Sequence, residues 1–357
     1  MRSDTDSPLF KNRPLPETDL KSLSRLDLES FFKDLGLPAF RVKQFLHWTY
    51  ERHAVSIEEI TEFSRGTREM LSKKAYISNL RLLNRQTSAD GTEKFLYGLQ
   101  DGESIESVLI PDEDRLTLCI SSQVGCAMGC AFCLTGALGL RRNLMPHEIA
   151  DQVISACRLT APASPTNIVL MGMGEPLANY DNVCEALRRI TGFIGISPKR
   201  ITLSTSGIVP KIMSLPNDAP MVNLAVSLNA TTDEVRSRIM PVNRSCQLNA
   251  LLQACRKFPL PSRRRITFEY VLLKGVNDTP DDAKRLARLL KGIPSKVNLI
   301  PFNPYEGSTF RRPEDKRVAD FQDVLLSLSQ TALIRKSKGA DILAACGQLK
   351  AKYKKPN

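Results

Sequence analysis

From residue 18 to about 80, apolar residues recur at three- and four-residue spacing in LDLESFFKDLG, RVKQFLHWTYERH and SIEEITEFSRGTREMLSKKA. That is the period of amphipathic helices, and the three segments predict a small helical domain over 18–80. Gly36 and Pro38 separate the first two segments. Residues 1–17 precede them as a polar, proline-containing stretch, expected to be a flexible arm. Over 81–114 the period shortens to two. LRLLNRQ, TEKFLYGL and SIESVLIP, divided by SADG and QDGE, predict antiparallel strands, a β-rich connector.

Beyond residue 115 short apolar runs alternate with helical stretches. RLTLCISS, TNIVLMGM, RITLSTSG, VNLAVSLN, ITFEYVLLKG and KVNLIPFN read as strands, with helices expected over 146–159, 180–193, 246–257, 279–291 and 313–329. Six strand-then-helix units predict an α/β domain over 115–350, its parallel sheet open or rolled into a partial barrel with helices outside. A basic tail, 351–357, follows. The polar motifs are not scattered through these units. Cys126–Cys133, GMGEP at 172–176, STSG at 204–207, SLNA at 227–230 and Asn303 all fall just past expected strand ends. Such ends form the active-site mouth of α/β barrels and open parallel sheets. Taken singly, each motif is also an ordinary turn, helix cap or strand end; their convergence is what points to a site.

Composition narrows the class of protein. At 357 residues, 42% hydrophobic and 25% charged, the chain suits a globular protein with a sizeable core. No apolar run reaches the ~18–20 residues of a membrane span, and MRSDTDSPLF has no basic-then-apolar leader. A cytoplasmic protein without membrane attachment is expected. Nine cysteines there read as metal ligands or catalytic thiols rather than a disulfide framework. A net charge of +12 favours a polyanionic partner such as RNA or DNA. Arg41, Lys43, Arg52, Lys73 and Lys74 give the helical domain a basic face.

Candidate chemistry centres on CAMGCAFC, which spaces Cys126, Cys130 and Cys133 as Cx3CxxC. A structural zinc takes four ligands. Cys119 or His147 could be the fourth, but Cys119 lies in a strand pattern and His147 opens a helix. A [4Fe–4S] cluster on three cysteines leaves one iron open. Placed after the first strand of the βα series, the motif resembles the radical S-adenosylmethionine superfamily, in which that iron chelates the cofactor's amino and carboxylate groups. The other motifs suit the same ligand. Gly174 allows close backbone approach, and Glu175 can accept from an ammonium. Ser204 and the Ser227, Leu228, Asn229 stretch offer contacts for ribose hydroxyls and a carboxylate, and Asn303 could read an adenine edge.

TLCISSQVGCAMGCAFC, MGMGEPLANYDNV, ITLSTSGIVPKI, VNLIPFNP and GADILAACGQL together resemble the RlmN/Cfr family of rRNA adenosine methyltransferases, from about residue 20 to 350. The resemblance implies a partial (βα)6, TIM-like radical S-adenosylmethionine barrel with one [4Fe–4S] cluster, two S-adenosylmethionine molecules consumed per methylation, and an external one-electron donor such as flavodoxin or ferredoxin. It implies that Cys346 carries the methyl group, that Cys119 resolves the product through a transient disulfide, and that Glu106 accepts a proton. The chemistry needs such a carrier. Adenine C2 is electron-poor and does not attack a methylsulfonium, whereas a thiolate takes the methyl by displacement and a second thiolate can release it. The implied substrate is C2 of adenosine 2503 in 23S rRNA, with adenosine 37 of some tRNAs as a second; C8 methylation and a zinc-stapled RNA-binding module are the alternatives. The helical domain is the expected RNA-docking surface, and a monomer is expected. One departure is Asn229, where the family often has His. Cys157, Cys184, Cys246 and Cys255 sit on helical patterns and read as core.

Overall fold

The computed structural model describes residues 17–351. The arm expected over 1–17 and the tail expected over 351–357 lie outside the described residues, apart from Glu17 and Ala351. The chain divides into two compact units between Asn79 and Leu80.

In the first unit a parallel pair, β1 (Thr18–Asp19) and β2 (Ala75–Tyr76), brings its two ends together. Between them lie α1 (Arg25–Asp34), α2 (Phe40–Leu46) and α3 (Arg65–Lys74). The third periodic segment is not one helix. It opens as a short 3-10 turn at Ile57–Glu59, and the Ser64 hydroxyl, accepting from Thr67 N at 3.2 Å, starts α3 afresh. Leu28, Phe32, Phe45 and Phe63 meet in the core, with Phe32 edge-on to Phe45 and Phe63 at 6.0 and 6.3 Å. Of the expected basic face, Arg41 is engaged: it donates to Gln44 and to the Glu62 carbonyl and lies over the Phe40 and Phe63 rings. Lys43, Lys73 and Lys74 are exposed and have no carboxylate partner among the described residues.

The second unit is built on a ten-stranded sheet. β3 (Arg81–Thr87), β4 (Glu93–Gly98), β5 (Ser104–Asp112) and β6 (Arg115–Cys119) are antiparallel neighbours. After a small hairpin, β7 (Gln123–Gly125) with β8 (Leu140–Asn143), the sheet continues in parallel from β6. Its further strands are β9 (Asn167–Leu170), β10 (Ile201–Thr205), β11 (Asn223–Ser227), β12 (Ile266–Leu272), β13 (Ser295–Pro301) and β14 (Ala332–Ile334). Residues 81–114, read as a connector, are therefore continuous with the parallel sheet. β14 and β3 end the strand order at opposite edges, so the wall stays open. The middle strands are buried along nearly their whole length, as parallel strands covered on both faces are.

The helices of this unit are α4 (Leu134–Ala137), α5 (Pro146–Thr160), α6 (Tyr180–Gly192), α7 (Val209–Asp218), α8 (Asp233–Ile239), α9 (Leu248–Lys257), α10 (Pro280–Leu290) and α11 (Asp315–Ser327). Six elements of this unit, α4, α7, α8, β7, β8 and β14, have no counterpart in the sequence pattern. α7 carries Pro210 in its first turn and Pro216 inside, which hides its period. α8 spans seven residues and β14 three, too few for a period to register. Cys246 lies before α9 rather than on it, while Cys157, Cys184 and Cys255 are buried helical residues as read.

Candidate active site

β6 stops at Cys119, and β7 leads directly into the cysteine loop. Gly125 makes the entry possible. Its φ is +78°, and a Cβ there would lie 1.9 Å from the Gly139 carbonyl oxygen, the same oxygen that accepts from Cys126 N at 2.9 Å. Within the loop Cys133 N donates to Cys130 O at 3.0 Å, and Ala131 N donates to Ile239 O on α8. α4 begins immediately after Cys133. Cys126, Cys130 and Cys133 all line one cavity of about 170 Å³. Burial and then the charge of neighbouring thiols push Cys130 well up, and burial pushes Cys126 up to about 12. Such thiols give up their protons when a cation supplies the missing counter-charge. Among the described residues no three His, Cys, Asp or Glu side chains converge as one metal ion requires. Three thiols on one cavity wall match the ligand count of a cluster that leaves one iron open.

The opposite wall comes from the ends of β9, β10, β11 and β12. Gly174, φ +101°, passes so close to Gln123 that a Cβ would sit 2.6 Å from the Gln123 Cβ. This places Glu175 with its N–H on Gln123 Oε1 and its carboxylate accepting from Leu177 N at 3.0 Å and Ser206 N at 2.6 Å. Burial raises its carboxyl, against those hydrogen bonds; a cationic group in the cavity would relieve that. Ser204 and Ser227 line the cavity, and their hydroxyls have no hydrogen-bond partner among the described residues. Both remain available to a ligand. Asn229 also lines it, in the left-handed region at φ 58°, which asparagine tolerates. Its amide is largely engaged, accepting from Val271 N at 2.8 Å and donating to Met240 Sδ. Leu228 is not on the cavity. It is fully buried, its N–H held by Glu269 O and its carbonyl by Arg236.

A second cavity of about 140 Å³ shares Cys133, Glu269, Asn303 and Cys346 with the first, and adds Cys119. Cys346 opens onto this space from a C-terminal strap that follows β14. Leu134 N donates to Gly347 O and Thr135 Oγ1 to Leu349 O, both at 2.8 Å, so the strap rests on the cysteine loop. Asn303 Nδ2 donates to Cys346 O at 3.3 Å and its Oδ1 accepts from Ser337; both ends of this side chain hold the strap. Burial, then the charge of Glu269, raises the Cys346 thiol, and burial, then Cys346, raises Cys119. Glu106 lies on neither cavity. It is buried on β5, accepts from Lys350 N at 2.7 Å and pairs with Lys94 at 3.4 Å, while Lys94 donates to Ile342 O at 2.6 Å.

Two groups escaped the motif reading. Arg236 on α8 is fully buried and donates to the carbonyls of Ser206, Ser227 and Leu228 and to Asn243, tying the ends of β10 and β11 together. Burial lowers it to about 10. Glu269 on β12 lines both cavities, fixed by Asn298 Nδ2 at 2.9 Å. Nothing in EVRSRIM or ITFEYVLL marks either residue, since both lie inside regular elements.

Comparison with known proteins agrees with this geometry. The Radical SAM superfamily domain matches residues 120–290, and the ribosomal RNA large subunit methyltransferase N-terminal domain matches 18–77. A crystal structure of a radical SAM methyltransferase from Sphaerobacter thermophilus superposes with a TM-score of 0.89 at 41% identity, covering 94% of this chain and all of that one. The fold is thus that of radical S-adenosylmethionine enzymes, whose catalysis uses a [4Fe–4S] cluster and S-adenosylmethionine. The dual-specificity RNA methyltransferase RlmN of Pelobacter propionicus is 53% identical over 94% of this chain and 96% of its own, and that of Geobacter sulfurreducens 54% over 94% and 92%. The chain belongs to the RlmN family of radical S-adenosylmethionine RNA methyltransferases.

Proposed function

We propose that this protein methylates C2 of adenosine in RNA, at adenosine 2503 of 23S rRNA and adenosine 37 of some tRNAs, with Cys346 as methyl carrier and Cys119 as resolving thiol. The observation that carries this reading is the single space shared by Cys119, Cys133 and Cys346. Three roles that must act on one carbon in succession require that juxtaposition. Cys126, Cys130 and Cys133 would hold the cluster, and Gly174, Glu175, Ser204 and Ser227 the cofactor. Bound there, the pair would supply the one-electron reductive chemistry of the reaction.

The chain's own residues do the rest. Cys346 as thiolate accepts the methyl from sulfonium, forming a neutral thioether. Once that carbon is joined to the base, Cys119 attacks the Cys346 sulfur. The S–S bond forms, the S–C bond breaks, and the pair it releases stays on the methylene carbon, which takes up a proton to become methyl, while the hydrogen originally on C2 leaves as a proton. Glu106 supports this from behind, through Lys94 and the strap backbone. Exposed Lys43, Lys73 and Lys74 make the first unit the RNA-docking surface, and a one-electron donor of the flavodoxin or ferredoxin class regenerates the reduced state. No helix among the described residues is long and apolar enough to cross a membrane.

Nucleoside mass spectrometry tests the assignment. Reduced, cluster-loaded protein should convert an unmodified 23S rRNA fragment to 2-methyladenosine at a single position. Methylation at C8, or zinc in place of iron and sulfide in the active protein, would overturn it.

A further inference from the structure

The ends of the parallel strands opposite the cysteines carry a different chemistry. Lys199 and Arg200 form the turn before β10, Arg263, Arg264 and Arg265 the loop before β12, and Arg256, Lys257, Arg288 and Lys291 the ends of α9 and α10. None of the nine is paired with a carboxylate among the described residues. Residues 255–268 and 283–305 contain no acidic residue. The cations are contiguous along the sheet edge. Asn223 Nδ2 donates to Lys199 O, Arg264 Nη1 to Met221 O, Ile266 N to Pro294 O and Arg265 Nη1 to Thr331 Oγ1.

Compensation of helix dipoles accounts for Arg256, Lys257 and Arg288, but not for three consecutive arginines in the loop before β12. Between the starts of β12 and β13 lies an open groove of about 710 Å³ lined by Arg265, Arg288, Lys291, Ser295 and Thr331. The Ser295 hydroxyl is buried beside it, without a hydrogen-bond partner among the described residues. Of the exposed large apolar side chains only Leu328 lines the groove, so the aromatic and aliphatic anchors of a protein interface are missing. Guanidinium forks fit phosphate oxygens.

We propose that this face is a second RNA surface, a phosphate-binding groove that holds the backbone of a long substrate RNA away from the target base. It rests on the RNA-methyltransferase reading. The test uses the cluster-loaded full chain with Arg200→Ser, Arg263→Ser and Lys291→Ser combined, none of which touches the catalytic cavities. For a long 23S rRNA fragment, the slope of log affinity against log salt should fall by roughly 2–3. The slope for a short target stem-loop, and reductive cleavage of S-adenosylmethionine, should not change. An unaltered slope on the long fragment, with wild-type binding intact, overturns the groove and leaves the methyltransferase reading standing. Failure of the wild type to bind either RNA overturns both. Unchanged RNA binding with slowed reduction by an acidic flavoprotein would assign the face to a protein partner instead.

Discussion

The cysteine loop and the C-terminal strap both deliver thiols to the same space, yet they are held in different ways. The loop's ligands are eight residues from first to last, shaped by its own glycines and by α4 starting at its end. The strap reaches the site some two hundred residues later and is fixed almost wholly by distant partners. Ser88 holds Asp341, Asp90 holds Gly339 N, Lys94 holds Ile342 O and Glu106 holds Lys350 N. The antiparallel strands β4 and β5, with the turn before β4, are therefore the strap's scaffold. A local motif can bind its group as soon as it folds. A carrier thiol on a strap can be positioned only once the sheet exists.

The largest effects should come from the loop. Replacing Cys126, Cys130 or Cys133 with Ala should abolish iron–sulfide absorbance and all cofactor cleavage if, as proposed, each is one of three protein ligands; Cys157→Ala should retain both. Iron retention and cleavage in the triple variant would refute the ligand set. Next, the two mechanistic thiols should separate by stage. Cys346→Ala should carry no methylcysteine and form no RNA adduct. Cys119→Ala should accept the methyl, join the RNA and fail to release it, leaving a nuclease-sensitive species on a denaturing gel.

Glu106→Ala should have a smaller effect and sharpens the contrast. Removing one member of the buried Lys94–Glu106 pair should destabilise the protein by about 3 kcal/mol and loosen the strap, so that methyl loading of Cys346 slows along with turnover. A residue that only accepted a proton late in the reaction would leave loading unchanged, and that result would support the proton-acceptor role. The smallest effect concerns pH. Hydrogen bonds from Thr92, Gly339 and Ser88 outweigh the desolvation of Asp90 and hold it below the usual carboxylate range, and Ser88 and Ala89 do the same for Asp341. Their support is complete above the unfolded aspartate pKa, about 3.9, and is lost as pH falls through the lower folded values. Amide protection at Gly339 and Ala344, corrected for intrinsic exchange, should drop over that range. Asp90→Asn with Asp341→Asn should flatten the dependence.

Much of this protein was legible because the informative signals are local. The three cysteines, GMGEP and the six strand-then-helix units each depend on residues within one turn or one strand of each other, where spacing fixes geometry. The β5 run SIESVLIP is buried over its first six residues, so its pattern could not show that Glu106 faces Lys94 and the strap rather than a cavity. Asn229 and Asn303 were rightly placed at strand ends, but their amides answer to Val271, Ser337 and the Cys346 carbonyl, groups that no spacing rule connects. Arg236 and Glu269 were invisible for the same reason. By itself the sequence determined the class of chemistry, the ligand loop and the alternation of strands and helices, through short-range periodicity and spacing. Tertiary structure alone decided which buried charge faces which cavity and how Cys346 is held beside Cys119, because those pairings span from some thirty to more than two hundred residues and are set by side-chain packing.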